Sequence, residues 1–222
     1  MFRTIDHKGR IMKKAFLIAL LVSVAGAENM KVKITDDISS VMTFDSGQNI
    51  IVQRIQDPNY RLTDDYTKTS RSCPPFCIQP TKVEKDIKNI AELELLSFME
   101  NQVKNNTGIV VDARLRKWYE TETIPSAVNI PFSVMKSASK KKVENIFRVL
   151  GMEVQSDGSW NFSKAKELAV FCNGVWCEQS KHFIAALLKY NYPKEKLSYY
   201  RSGFQGWKLL GLTTIVHKEI KK

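Results

Sequence analysis

The sequence predicts an α/β domain, doubly wound on a mostly parallel central sheet and preceded by a small β-rich extension. Short unbroken apolar runs, Ile109-Val110-Val111 and Ala169-Val170-Phe171, have the make-up of strands buried on both faces. The second run leads through a loop into Lys181–Leu188, where Phe183, Ile184, Leu187 and Leu188 recur at helical spacing. From about residue 85 onward strands and helices alternate, the order that gives parallel strands joined by crossovers. A chain of 222 residues is long enough to bury a sizeable core with an extension beside it.

Residues 1–27 read as a secretory signal peptide, with Met12 as the true start. Met12-Lys13-Lys14 is a short basic opening, Ala15 to Ala25 is an almost unbroken apolar run, and Ala25-Gly26-Ala27 supplies the small residues a signal peptidase reads. The run is short for a membrane span, so contact with a membrane is expected only through this segment if it stays uncleaved. Cleavage after Ala27 removes five basic residues and one acidic residue, so the formal charge of +11 falls to +7. The remaining excess is dispersed and lacks an aromatic-interleaved basic stripe, which argues against a nucleic-acid partner. The expected location is the periplasm or the secreted space, where disulfides are permitted.

Residues 28–84 form the expected β-rich extension. Lys31–Ile34, Val41–Phe44 and Ile50–Arg54 are its candidate strands, with a turn at Asp45-Ser46-Gly47-Gln48. The polar stretch Gln56–Arg71 follows, and then Cys73-Pro74-Pro75-Phe76-Cys77. The main domain is expected over 85–222. Val83, Ile87, Ile90, Leu93, Leu96 and Met99 predict a helix broken near Ala91. Asn105–Gly108 is a turn, Ile109–Val111 a strand, Trp118 and Tyr119 mark a helical piece, and Ala127–Ile130 is a second strand. Lys140–Leu150 reads as a helix capped by Gly151, and Ala165–Leu168 as a helical lead into the central strand. A helix over 179–190, a strand at Leu197–Tyr200 and a short helix from Gly203 complete the pattern.

Cys172 falls between the end of the central strand and the start of the following helix. In parallel sheets, sites lie at the carboxyl ends of strands. Free backbone N–H groups and the helix dipole favour negative charge there, which lowers a thiol's pKa toward its nucleophilic thiolate. Cys172 is therefore the candidate catalytic residue, against the alternative of a buried structural cysteine. Its loop comprises Asn173, Gly174, Val175, Trp176, Cys177, Glu178, Gln179 and Ser180. Four cysteines allow three connectivities, and the sequence does not choose among them. Cys73 with Cys77 is the plainest disulfide candidate, a redox pair feeding Cys172 the sharper one. Joint zinc binding by all four is weaker, because neither spacing is a zinc knuckle, and no metal is expected. His182 and His217 fit no triad or ligand pattern.

Three blocks resemble the rhodanese-like domains. They are Val111-Asp112-Ala113-Arg114 through Ile124-Pro125-Ser126-Ala127-Val128-Asn129-Ile130-Pro131-Phe132, the central cysteine loop, and Gly203-Phe204-Gln205-Gly206-Trp207 with Gly211-Leu212. The resemblance spans about residues 85–215 and implies a sulfurtransferase that needs no cofactor. Cys172 would take the outer sulfur of a donor such as thiosulfate, hold it as a persulfide, and pass it to a thiophilic acceptor. Small sulfur-containing anions or thiols are the implied partners, with a periplasmic redox or sulfur-acceptor protein as a further one. Asp112 and Arg114 match the family's Asp-x-Arg and read as a structural ion pair. The loop departs from the family pattern: Ser180 stands eight positions after Cys172, no Arg or Lys lies between them, and Glu178 adds an acid that would repel an anionic donor unless it points outward. The missing Arg also argues against a cysteine phosphatase. Cys177, five residues on, is a candidate redox partner for thiol–disulfide or persulfide-reductase chemistry. A catalytically silent binding module is the remaining alternative.

Overall fold

The computed structural model describes residues 30–137 and 139–217. The proposed signal peptide lies outside them. Two strands, β1 (Ser40–Asp45) and β2 (Gln48–Gln53), pair antiparallel in a hairpin. Ser46 and Gly47 turn the chain with positive φ at both positions, the geometry that matches hairpin twist. Lys31–Ile34, expected as a strand, is instead a series of bends. Its alternation is too short to pair, and Val32 bonds to the Gln56 side chain rather than to a neighbouring strand.

The main sheet has five strands in the order β3 (Lys88–Ile90), β9 (Leu197–Tyr200), β8 (Glu167–Phe171), β4 (Gly108–Asp112) and β5 (Ala127–Asn129), every neighbouring pair parallel. A small hairpin, β6 (Glu153–Val154) with β7 (Trp160–Asn161), stands apart from it. The helices are α1 (Glu92–Phe98), α2 (Arg116–Thr121), α3 (Val134–Ser137), α4 (Lys140–Val149), α5 (Gln179–Lys189) and α6 (Gly203–Leu209).

Two expected helices are corrected. The apolar spacing from Val83 to Ile90 belongs to an irregular segment and the edge strand β3, and helix begins only at Glu92. The three apolar residues Val83, Ile87 and Ile90 are too few to separate a helical period from a strand edge. Ala165–Leu168 is no helix, because β8 already starts at Glu167 and Ala165 packs in the core.

Alternation along the strands divides the core into two layers. Ile109, Val111, Leu168, Val170, Leu197 and Tyr199 face α4 and α5, meeting Val143, Phe147, Phe183, Ile184 and Leu187. Val110, Ala169, Phe171 and Tyr200 face the other way, against Leu95 and Leu96 of α1, Phe204 and Trp207 of α6, and Val41, Val52 and Tyr66 of the N-terminal segment. The N-terminal segment thus completes one face of the doubly wound sheet.

Because all five strands are parallel, Asp112, Phe171 and Tyr200 end at one edge of the sheet. Just past β4, Arg114 folds back on Asp112, with Nη2 to Oδ2 at 2.6 Å and both side chains fully buried. Thr123 Oγ1 donates to the same carboxylate at 2.8 Å. Arg114 also donates to the Glu122 carbonyl and the Tyr66 hydroxyl, and its guanidinium stands 4.3 Å from the Phe204 ring centre. Removing one partner of such a pair leaves an uncompensated buried charge. Asp112→Ala is expected to lower unfolding free energy by about 3–5 kcal/mol in urea denaturation.

Candidate active site

β8 is the middle strand, and its chain leaves the sheet at Cys172 to form the loop before α5. The loop's first carbonyls are fixed by the amides that open α6: Phe204 N–H donates to Cys172 O at 2.8 Å, and Gln205 N–H to Asn173 O at 2.8 Å. This close approach needs Gly203, whose φ is +59° and where a Cβ would fall 2.4 Å from Cys172 O. The motif residues around Gly203 therefore act on the cysteine loop directly. Cys177 N–H donates back to Gly174 O, closing the loop on itself.

Cys172 and Cys177 are free thiols, 2% and 5% exposed. Neither belongs to the two apolar layers of the core. Cys172 Sγ lies 3.1 Å from the Cys177 carbonyl, which accepts the thiol proton in the neutral state. Burial opposes ionisation of Cys172, but the Cys177 thiol, the Ser180 hydroxyl and the amides of Ser180 and Gly174 favour the thiolate and bring its pKa below the ordinary value. Ser180 Oγ is fully buried with no hydrogen-bond partner of its own. Burial raises the Cys177 pKa strongly, and its bond to the Cys172 sulfur and that sulfur's charge raise it further, while the amides of Gln179 and Asn173 work the other way. The two shifts run in opposite directions, so Cys172 is the more readily ionised of the pair.

Glu178 points outward, exposed and 3.4 Å from His182 one turn along α5. The acid anticipated beside the sulfur is thus turned toward solvent. Gln179 is half-buried, its Oε1 unpartnered.

The N-terminal segment grips the loop at several points that the sequence did not signal. The Tyr66 hydroxyl meets Asn173 Oδ1 at 2.8 Å. Gln79 N–H donates to Val175 O at 2.7 Å. Phe76 packs edge-on against Trp176 with ring centres 5.6 Å apart, and the Arg71 guanidinium lies 4.0 Å from the Trp176 ring centre. Trp176 Nε1 in turn donates to Gln205 Oε1, and Gln205 Nε2 to the Tyr66 carbonyl. Arg201, just past β9, donates to the carbonyls of Gln79 and Pro80 and so braces the N-terminal segment. Gln205 belongs to the motif that opens α6, Asn173, Val175 and Trp176 to the cysteine loop, and Phe76 to the stretch between the paired cysteines. Tyr66, Arg71 and Gln79 sit in polar or proline-rich sequence with no periodicity to mark them.

Cys73 and Cys77 are bonded to each other. Joint zinc binding by the four cysteines is therefore ruled out in this state, and among the described residues no cluster of His, Cys, Asp and Glu is placed to hold a metal ion. His217 stacks on Tyr119 and lies 3.5 Å from Asp45, away from the cysteine loop. A cavity of about 300 Å³ lined by Asp64, Tyr66, Trp118, Glu122 and Phe204 shares Tyr66 with the site but none of its cysteines.

Solved structures with a similar chain path include a full-length protein from Lactobacillus plantarum (17% identity over 58% of this chain and 88% of that one, TM-score 0.40). Others are a thiosulfate sulfurtransferase from Pseudomonas aeruginosa (18% identity, 61% of this chain and 21% of that one, TM-score 0.41) and a human single-domain sulfurtransferase (16% identity, 55% and 95%, TM-score 0.38). No curated protein matches the sequence significantly. The family description Rhodanese-like domain matches residues 94–210, more than half of the chain, from α1 through α6. The chain belongs to the rhodanese-like domain family.

Proposed function

We propose that the protein is an exported sulfurtransferase that carries sulfane sulfur on Cys172. The observation that supports this most directly is the Cys172 sulfur, set at the carboxyl end of the central strand and faced by the Ser180 hydroxyl and by loop amides that favour its anion. In the first step the thiolate attacks the outer sulfur of a donor such as thiosulfate. The sulfur–sulfur bond of the donor breaks, sulfite leaves with the electron pair, and the outer sulfur stays on Cys172 as a persulfide. A thiol or other thiophile then takes that sulfur and returns the thiolate.

Fixed hydrogen-bond donors inside an enclosed loop stabilise the developing negative charge without a general base. With Glu178 facing solvent, no carboxylate of the loop opposes an anionic donor. A sulfur so enclosed suits small sulfur anions and thiols, and a periplasmic acceptor protein would need the loop to yield. Export is supported by the pattern of residues 1–27 and by the Cys73–Cys77 bond, which persists in oxidising compartments.

Incubating the reduced-site protein with thiosulfate or inorganic polysulfide should add one sulfur atom, seen by intact mass and mapped to Cys172. Cys172→Ser should add none, and a sulfur retained by that variant on another residue would overturn the assignment. The Ser180 hydroxyl is one charge-assisted donor, worth about 1.5–3 kcal/mol, so Ser180→Ala should raise the Cys172 ionisation midpoint by about one to two pH units. The sign is fixed by the reactive form being the thiolate. Sulfur uptake by Ser180→Ala should fall near neutral pH and recover as pH rises, with thiolate ultraviolet absorbance tracking the same midpoint.

A further inference from the structure

A directional hydrogen-bond chain runs through the buried edge of the sheet and ends on Cys177. Arg114 carries only donors, so at the Tyr66 hydroxyl, 3.0 Å from Nη1, the oxygen must accept. The Tyr66 proton is then free to point the other way, to Asn173 Oδ1 at 2.8 Å. Burial holds that hydroxyl protonated, well above its ordinary pKa even with Arg114 beside it. With its oxygen committed, the Asn173 amide turns its Nδ2 to Cys177 Sγ, at 3.9 Å. Every bond in the series Arg114–Tyr66–Asn173–Cys177 donates toward the second sulfur, while Asp112 anchors the Arg114 end as an acceptor. A structural thiol in a loop needs no such donor, because an uncharged S–H is satisfied by packing. The arrangement favours negative charge on Cys177.

An ionised Cys172 opposes that outcome. Once Cys172 takes up a donor's sulfur, its inner sulfur is no longer an anion, and one cause of Cys177's resistance to ionisation is gone. Cys172 Sγ already lies 3.1 Å from the Cys177 carbonyl, so the two residues are in contact within one closed loop.

We infer that Cys177 is the resolving nucleophile of this site and that Tyr66 of the N-terminal segment is its positioning residue, which makes the protein a sulfide-releasing persulfide reductase as well as a sulfur carrier. The Cys177 sulfur attacks the inner sulfur of the Cys172 persulfide. A Cys172–Cys177 disulfide bond forms, the inner–outer sulfur bond breaks, and the outer sulfur leaves with the electron pair as HS⁻, taking the proton that Cys177 gives up. The sulfane sulfur is reduced by two electrons, and the two cysteine sulfurs are each oxidised by one. A dithiol reductant then reopens the disulfide by exchange and resets the site. The inference rests on the sulfur-carrier reading and extends it to a second product.

The full chain, with Cys73–Cys77 bonded and Cys172 and Cys177 reduced, would be treated with thiosulfate and with inorganic polysulfide in the absence of reductant. Wild type is expected to release one equivalent of sulfide and to become lighter by two hydrogens, with peptide mapping showing the Cys172–Cys177 bridge. Cys177→Ser is expected to keep one added sulfur and release none. Tyr66→Phe, which keeps the ring but breaks the relay, should load Cys172 as wild type does yet release sulfide on the order of tenfold more slowly, the scale of one hydrogen bond to a charged group. A purely structural Tyr66 would alter both steps or neither, which would remove it from the assignment. Stable persulfide on both wild type and Cys177→Ser, with no sulfide, would overturn the resolving role and leave the carrier intact. No added sulfur on Cys177→Ser with either donor would overturn both.

Discussion

A guanidinium sealed from water dictates much of this structure. Arg114 is fully buried, and its N–H groups must all find acceptors, because leaving one bare in the interior costs more than the bond itself returns. Asp112 supplies the countercharge, the Glu122 carbonyl one further acceptor, and the Tyr66 hydroxyl another. Each of these comes from a different stretch of chain. Satisfying one cation therefore fixes the end of β4, the turn before β5 and the N-terminal segment in a single arrangement. The cysteine loop is built against that arrangement through Asn173.

The chemistry of the loop follows from having no cation of its own. Where an arginine would stabilise an anion by charge, this loop works through fixed dipoles, which keep their orientation as charge moves from one sulfur to another. That suits the proposed reaction, in which the negative charge would sit in turn on a thiolate, a terminal persulfide sulfur and a leaving sulfide. A fixed positive charge would favour one of those states. Amides and hydroxyls on several sides favour whichever sulfur is ionised.

Much of the fold was legible because it is written in local patterns. The runs at residues 109–111 and 169–171 are long enough and apolar enough to be buried strands, and the spacing of Phe183, Ile184 and Leu187 can only be one face of a helix. Cys172 was legible for the same reason, since its place follows from the strand and helix around it. The segments that went wrong, Val83–Ile90 and Ala165–Leu168, are short ones in which burial rather than periodicity places the apolar residues. What remained hidden was the role of Tyr66, Gln79 and Arg71. Each acts across more than ninety residues of sequence, and a tyrosine in a polar stretch looks the same whether it faces water or closes a hydrogen-bond chain.

The separate fates of the four cysteines carry a consequence for how the chain matures. Cys73 is exposed and Cys77 only half-covered, and they are neighbours four positions apart. Under the proposed export, a polypeptide emerging from its N-terminal end would present this couple before Cys172, so an oxidant would meet one short ring to close and no competing thiol. The later couple would then fold into the buried cysteine loop, where both thiols are free and largely covered. The order of synthesis and the depth of burial would together keep the crosslinked couple apart from the free one.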